Sequence, residues 1–122
     1  LNTAVLEYSG ANCPLYLISD GQLSEIKPDR QPIGYFRNRR PYRNHELKIK
    51  KGDVVYIFSD GFADQFGEET GRKFYYGPFK DLILEIYDKP MQEQREIFEN
   101  TFVSWKGIID QTDDICIWGV RI

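Results

Sequence analysis

Short apolar runs dominate the first half of the chain and predict β-strands. Gln22–Lys27 and His45–Lys50 alternate apolar and polar residues with period two, as expected of strands with one wet face. Val54–Phe58 is an unbroken β-branched and aromatic run, which is typical of a central strand covered on both faces. Asp20-Gly21 lies between two such runs and is a strong signal for a hairpin. Further strands are predicted at Ala4–Tyr8, Pro14–Ser19 and Ile115–Ile122.

Apolar residues change to helical spacing after the strand-rich half, which predicts two helices. In the first they are Phe79, Leu82, Ile83, Ile86 and Tyr87, with Pro78 in the first turn, where proline is tolerated. The second helix follows Pro90 and ends at Gly107, and its apolar side carries Met91, Ile97, Phe98, Phe102 and Trp105. We expect these rings to form core. The pattern gives about six strands, two helices and a last strand, which indicates an α+β fold with an antiparallel sheet.

Composition narrows the class of protein. The 122 residues are 41% hydrophobic and 29% charged, which predicts one globular domain. The net charge of -3 argues against a nucleic-acid partner. A membrane helix needs about 20 apolar residues in succession, and the sequence contains no such run, so no membrane segment is expected in this part. Cys13 and Cys116 lie in apolar stretches and are expected to be reduced core thiols of a cytoplasmic protein.

Acidic residues stand at the ends of two predicted strands. Asp60-Gly61 follows the most hydrophobic strand, and Asp113-Asp114 precedes the last one. If these strands are antiparallel neighbours, the carboxylates converge at one sheet edge, where a hard cation such as Mg²⁺ or Mn²⁺ would stabilise them. Gly61 would let backbone, water or substrate approach closely, and Asp64 adds a third acidic position. In the alternative interpretation, both acidic pairs are ordinary turn residues.

Several segments together resemble one protein family. Lys51-Gly52-Asp53-Val54 followed by Phe58-Ser59-Asp60-Gly61-Phe62-Ala63-Asp64 is similar to the Gly-Asp and Ser/Thr-Asp-Gly stretch of metal-dependent protein serine/threonine phosphatases, in the SpoIIE-like branch of the protein phosphatase 2C (PPM) superfamily. The segments Tyr8–Leu17, Gln31-Pro32-Ile33-Gly34 and Thr112-Asp113-Asp114-Ile115 resemble further motifs of that branch in the same order. The resemblance covers essentially the whole chain.

The resemblance implies a fold, a cofactor and a reaction. The fold is a sandwich of antiparallel sheets flanked by helices, with two Mn²⁺ or Mg²⁺ ions at one edge. By position, Asp60 and Asp113 would be metal ligands, Asp114 would lie beside them, and Asp64 would lie near a weaker additional ion; Gly61 belongs to the same candidate site. A metal-activated water would hydrolyse phosphoserine or phosphothreonine, which requires neither a histidine nor a cysteine nucleophile.

The resemblance also implies that this chain matches the C-terminal portion of such a phosphatase domain, here a truncated half-domain. The family takes further ligands from an earlier strand, and no matching aspartate is found in this sequence. We therefore expect weak or absent metal binding and no useful turnover from the chain alone. Unpaired sheet edges in such a piece would favour a homodimer. The implied partners are an N-terminal sensory domain and a phosphorylated signalling protein, for which an anti-sigma-factor antagonist is one candidate.

One basic cluster lies in the long connection between two predicted strands. It consists of Arg37, Arg39, Arg40 and Arg43. Guanidinium groups suit phosphate geometry, so these residues could bind a phosphorylated partner, but the sequence alone favours a solvated loop surface.

Two further functions stay open at this point. The chain could be a phosphatase-fold module that binds a signalling partner without catalysis, or an unrelated small β-sandwich binding domain.

Overall fold

The computed structural model describes residues 3–122 and divides the chain into two compact units. The first unit contains the chain up to Phe58 together with Ile117–Ile122, and the second contains Ser59–Cys116.

The described part of the first unit contains six strands in two antiparallel sheets. They are β1 (Ala4–Tyr8), β2 (Leu15–Ser19), β3 (Gln22–Ile26), β4 (His45–Ile49), β5 (Val54–Phe58) and β6 (Ile117–Arg121). β1 pairs with β4, and the other sheet has the order β3-β2-β5-β6. Asp20 and Gly21 have φ values of 50° and 74°, so the predicted hairpin between β2 and β3 has the left-handed turn that matches strand twist.

Apolar side chains of the two sheets pack together as a sandwich core. Leu15, Leu17, Ile49 and Val55 are buried at its centre, and residues from β1, β3 and the end of the chain pack around them. The alternating residues Tyr16, Ile18, Val54, Tyr56 and Phe58 are also buried. β5 is therefore covered along most of both faces, as predicted, except that Ile57 is partly exposed.

The second unit is helical. Its helices are α1 (Gly61–Asp64), α2 (Tyr76–Ile86) and α3 (Met91–Lys106). Phe62 is the centre of its core, with ring centroids 5.0 to 6.0 Å from those of Phe74, Phe79, Phe98 and Phe102. The expectation that the helical aromatic residues form core is confirmed for Phe79 and Phe98, whereas Phe102 and Trp105 are only partly buried. Among the described residues, no helix combines the length and the apolar character that crossing a bilayer requires.

The structure confirms an α+β fold with antiparallel sheets and corrects several details. Residues 3–58 form five strands, where the pattern indicated about six, and α1 was not predicted because four residues are too short for helical periodicity. β6 begins at Ile117, two residues later than predicted, because the Cys116 N–H donates to the Ser59 side chain. Cys13 and Cys116 are free thiols but are exposed, so their assignment to the core was wrong.

Candidate metal centre

Asp60 occupies the junction between β5 and α1. It is the residue before the first turn of α1, and its backbone carbonyl accepts a hydrogen bond from the Asp64 N–H at 2.9 Å. Its side chain makes no capping hydrogen bond and is exposed to solvent. The carboxylate of Asp60 is therefore available to a ligand.

Ser59 holds the second acidic segment beside Asp60. Its N–H donates to the Cys116 carbonyl, and its Oγ accepts from the Cys116 N–H, each at 2.9 Å. The same hydroxyl donates to the Asp114 carbonyl at 2.9 Å. Three hydrogen bonds thus join segments that are more than fifty residues apart in sequence.

Gly61 allows the two segments to approach closely. A Cβ at this position would lie 3.0 Å from the Asp114 carbonyl carbon, nearer still to its oxygen, and 3.1 Å from a side-chain carbon of Ile115. Real Cβ atoms almost never approach backbone this closely. Any larger residue would push the Asp113-Asp114 segment away from Asp60, so glycine is needed here for space.

Gln65 supports the segment that carries Asp113 and Asp114 through hydrogen bonds to its backbone. This residue was not identified from the sequence. Its side chain is fully buried. The Nε2 group donates to the Asp110 carbonyl at 3.0 Å and to the Phe66 carbonyl at 3.1 Å, and Oε1 accepts from the Thr112 N–H at 3.4 Å. No pattern in the sequence marks a buried glutamine, because its role depends on a loop 45 residues away.

Asp113 and Asp114 are both exposed in this supported segment. The Asp114 N–H donates to Asp113 Oδ1 at 2.7 Å, and the Gln111 side chain donates to the Asp113 carbonyl at 2.8 Å. Within residues 3–122, no lysine, arginine or histidine forms an ion pair with Asp60, Asp113 or Asp114. The acids of these two adjoining segments thus lack a protein cation that would compensate their charge.

Asp64 differs from the other acidic candidates. Its Oδ1 lies 3.3 Å from the Lys73 ammonium nitrogen, and both side chains are about two-fifths exposed. Its charge is therefore already balanced by a surface ion pair.

The carboxylates of the candidate site are suitable ligands for a hard divalent cation, but they are too few to complete its coordination. Carboxylate oxygens are preferred ligands of Mg²⁺ and Mn²⁺, and Mg²⁺ usually keeps several waters. No group of three or more histidine, cysteine or acidic side chains in the described part of the chain is arranged to hold a metal ion. Residues of this chain would therefore supply only part of a ligand set, and their role as ligands stays a prediction.

The four candidate arginines lie in the first unit, in the connection between β3 and β4. We call residues 30–44 the arginine loop. Arg37, Arg39, Arg40 and Arg43 are all exposed, and none of them forms an ion pair with another residue in the range 3–122.

Comparison with known proteins places the chain in a family. The model of the family "Stage II sporulation protein E (SpoIIE)" matches residues 1–122. The solved SiaA-PP2C domain of Pseudomonas aeruginosa is 36% identical with a TM-score of 0.85, and the match covers 97% of this chain and 46% of that one. The phosphatase domain of SpoIIE from Bacillus subtilis shares the fold, with 16% identity, a TM-score of 0.63 and coverage of 98% and 58%. A search of curated proteins found no match.

The chain therefore spans about half the length of the solved domains that it matches. The family match over every residue, the identity with the Pseudomonas domain and the shared fold agree. The chain belongs to the SpoIIE family and has the fold of protein phosphatase 2C-like phosphatase domains.

Proposed function

We propose that the full-length protein is a metal-dependent serine/threonine phosphatase, and that residues 1–122 form the C-terminal portion of its phosphatase domain. The observation that carries this proposal is that the Asp60-Gly61 segment lies against the Asp113-Asp114 segment. Hydrogen bonds of Ser59 join the two segments, and Gly61 leaves the space that their close approach needs. A purely structural loop has no need to keep three uncompensated carboxylates in adjoining segments.

Asp60 and Asp113 would ligate Mn²⁺ or Mg²⁺, with Asp114 beside them. When bound, two such ions lower the pKa of a coordinated water and neutralise phosphoryl oxygens. The protein's own contribution is to fix the two acidic segments before the ions bind, through the hydrogen bonds of Ser59 and Gln65. We assign Asp64 a lesser role, because the Lys73 ammonium must leave before a cation can replace it.

The substrate would be a phosphorylated signalling protein in the cytoplasm. The arginine loop provides guanidinium groups that suit phosphate, and an anti-sigma-factor antagonist remains a candidate substrate by family resemblance. An N-terminal sensory domain in the same polypeptide would control the activity.

Substitution of the two proposed ligands tests this function. In the full-length protein, Asp60→Asn and Asp113→Asn should each lower Mn²⁺-dependent hydrolysis of a phosphoserine peptide by at least about 100-fold. Substituting a residue that only hydrogen-bonds to a metal ligand already lowers metal affinity or activity by about 10- to 100-fold. Asp81→Asn is the matched control, since Asp81 is an exposed acid on α2. Equal rates in all three variants would contradict the assignment.

A second candidate function is a phosphatase-fold module that binds a signalling partner without catalysis. The incomplete donor set in the described residues favours it. In that case the full-length protein would show no Mn²⁺-dependent hydrolysis, and neither aspartate substitution would change its partner binding.

A further inference from the structure

The arginine loop exposes apolar side chains as well as charges. Ile33 is 87% exposed, Tyr35 is 99% exposed and Phe36 is 40% exposed. Single exposed apolar residues are common on protein surfaces, but three within four positions form a cluster. None of them is buried in the core of the first unit.

Hydrogen bonds brace the base of this loop. The buried side chain of Gln31 donates to the Arg40 carbonyl at 2.6 Å and accepts from the Arg40 N–H at 3.0 Å. The Tyr42 hydroxyl donates to the Pro32 carbonyl at 2.7 Å. Asp29 accepts from the Arg43 N–H at 2.8 Å. These bonds join the two ends of the loop, so the intervening residues project from a closed base.

Bracing has a consequence for binding. A loop that must be ordered on association loses affinity, because each immobilised side chain and backbone segment costs conformational entropy. Here the hydrogen bonds of Gln31 and Tyr42 already restrict the backbone. The exposed apolar residues are thus presented on a partly preorganised support.

Charge identifies the kind of ligand. Four arginines fall within seven positions of a chain whose net charge is -3, and no acidic side chain among residues 3–122 neutralises them by an ion pair. Guanidinium groups bind carboxylate and phosphate in a bidentate manner. Tyrosine and arginine are also the residue types that dominate binding energy at protein interfaces.

We propose that the arginine loop is a docking surface for an acidic segment of a partner protein. Ile33, Tyr35 and Phe36 contact an apolar side chain of that segment, while the arginines bind its carboxylates or phosphates. The proposal rests on the proposed function in one respect, since it identifies the partner as the phosphoprotein substrate. A protein is favoured over a membrane because the exposed apolar cluster is small and comprises only Ile33, Tyr35 and Phe36.

Peptide binding tests the docking surface. The probe is a fluorescein-labelled peptide with glutamates around one leucine and one phosphoserine, titrated against the full-length protein in EDTA so that no turnover occurs. Arg37→Gln/Arg39→Gln and Tyr35→Ala/Phe36→Ala should each raise Kd by at least about tenfold, the range of interface hot spots. Arg72→Gln and Val103→Ala are matched controls, since both residues are exposed in the second unit. A peptide with glutamine in place of glutamate should bind at least about tenfold more weakly.

Several outcomes would overturn the proposal. They are no binding of the acidic peptide, equal binding of the glutamine peptide, or no effect of the loop variants. Binding to phosphatidylserine vesicles that is lost in the loop variants, with peptide binding unchanged, would assign the loop to a membrane instead. Mn²⁺-dependent hydrolysis by the unsubstituted protein is measured separately, so loss of the phosphatase proposal and loss of the docking proposal are distinguishable.

Discussion

Two charged loops of this chain are each supported by a buried glutamine, but over very different sequence distances. Gln31 reaches the backbone of Arg40, nine residues away, and braces the arginine loop. Gln65 reaches Asp110 and Thr112, more than forty residues away, and supports the acidic segment. The arginine loop is therefore stabilised mainly by its own neighbours in sequence, whereas the acidic site depends on the folding of the whole second unit.

Of the tests that compare the two loops, a matched pair of phenylalanine substitutions should give the largest difference in the free energy of unfolding. Phe62→Ala removes the central ring beside the acidic site and should lower the free energy of unfolding by about 3–5 kcal/mol. Phe36→Ala in the arginine loop should change it by less than about 0.5 kcal/mol, because that ring is substantially exposed. Urea unfolding measures both values. Similar losses in the two variants would show that the arginine loop contributes to the core.

The two glutamines provide a test with a smaller expected effect. Gln65→Leu removes the three hydrogen bonds that a fully buried amide makes with Phe66, Asp110 and Thr112, and should cost about 2–3 kcal/mol. Gln31→Leu should cost only about 1 kcal/mol, because the loop at Arg40 is exposed and water can replace the lost bonds.

Ligand binding separates positioning from general stability in these variants. Gln65→Leu should weaken Mn²⁺ binding by the full-length protein about 10- to 100-fold while the acidic-peptide Kd stays unchanged. Gln31→Leu should instead raise the acidic-peptide Kd while Mn²⁺ binding stays unchanged. If both variants weakened both ligands equally, the glutamines would be general stabilising residues and the distinction between the loops would fail.

The sequence predicted the strands and helices well because their signals are local. Period-two alternation, the Asp20-Gly21 turn and the helical spacing after Pro78 each depend on residues close in sequence, and all correspond to features of the structure. The short helix α1 gave no periodic signal. Cys13 and Cys116 show the limit of hydropathy, since both lie in apolar stretches and yet are exposed.

The candidate site was only partly predictable. The positions of Asp60 and Asp113 at strand ends suggested that their segments meet, but the means of holding them together could not be read from spacing. Ser59 bonds to Asp114 and Cys116, and Gln65 bonds to Asp110, only after the chain has folded. Long-range hydrogen bonds of this kind leave no periodic pattern in a single sequence.

A double-mutant cycle for Mn²⁺ affinity tests most directly whether Asp60 and Asp113 share a cation. Asp60→Asn, Asp113→Asn and the double variant of the full-length protein are compared by titration with Mn²⁺. Residues that ligate one ion are strongly non-additive, so the double variant should bind about as weakly as the weaker single variant. Free-energy losses that add in full would mean that the two carboxylates act independently, which would contradict the shared site.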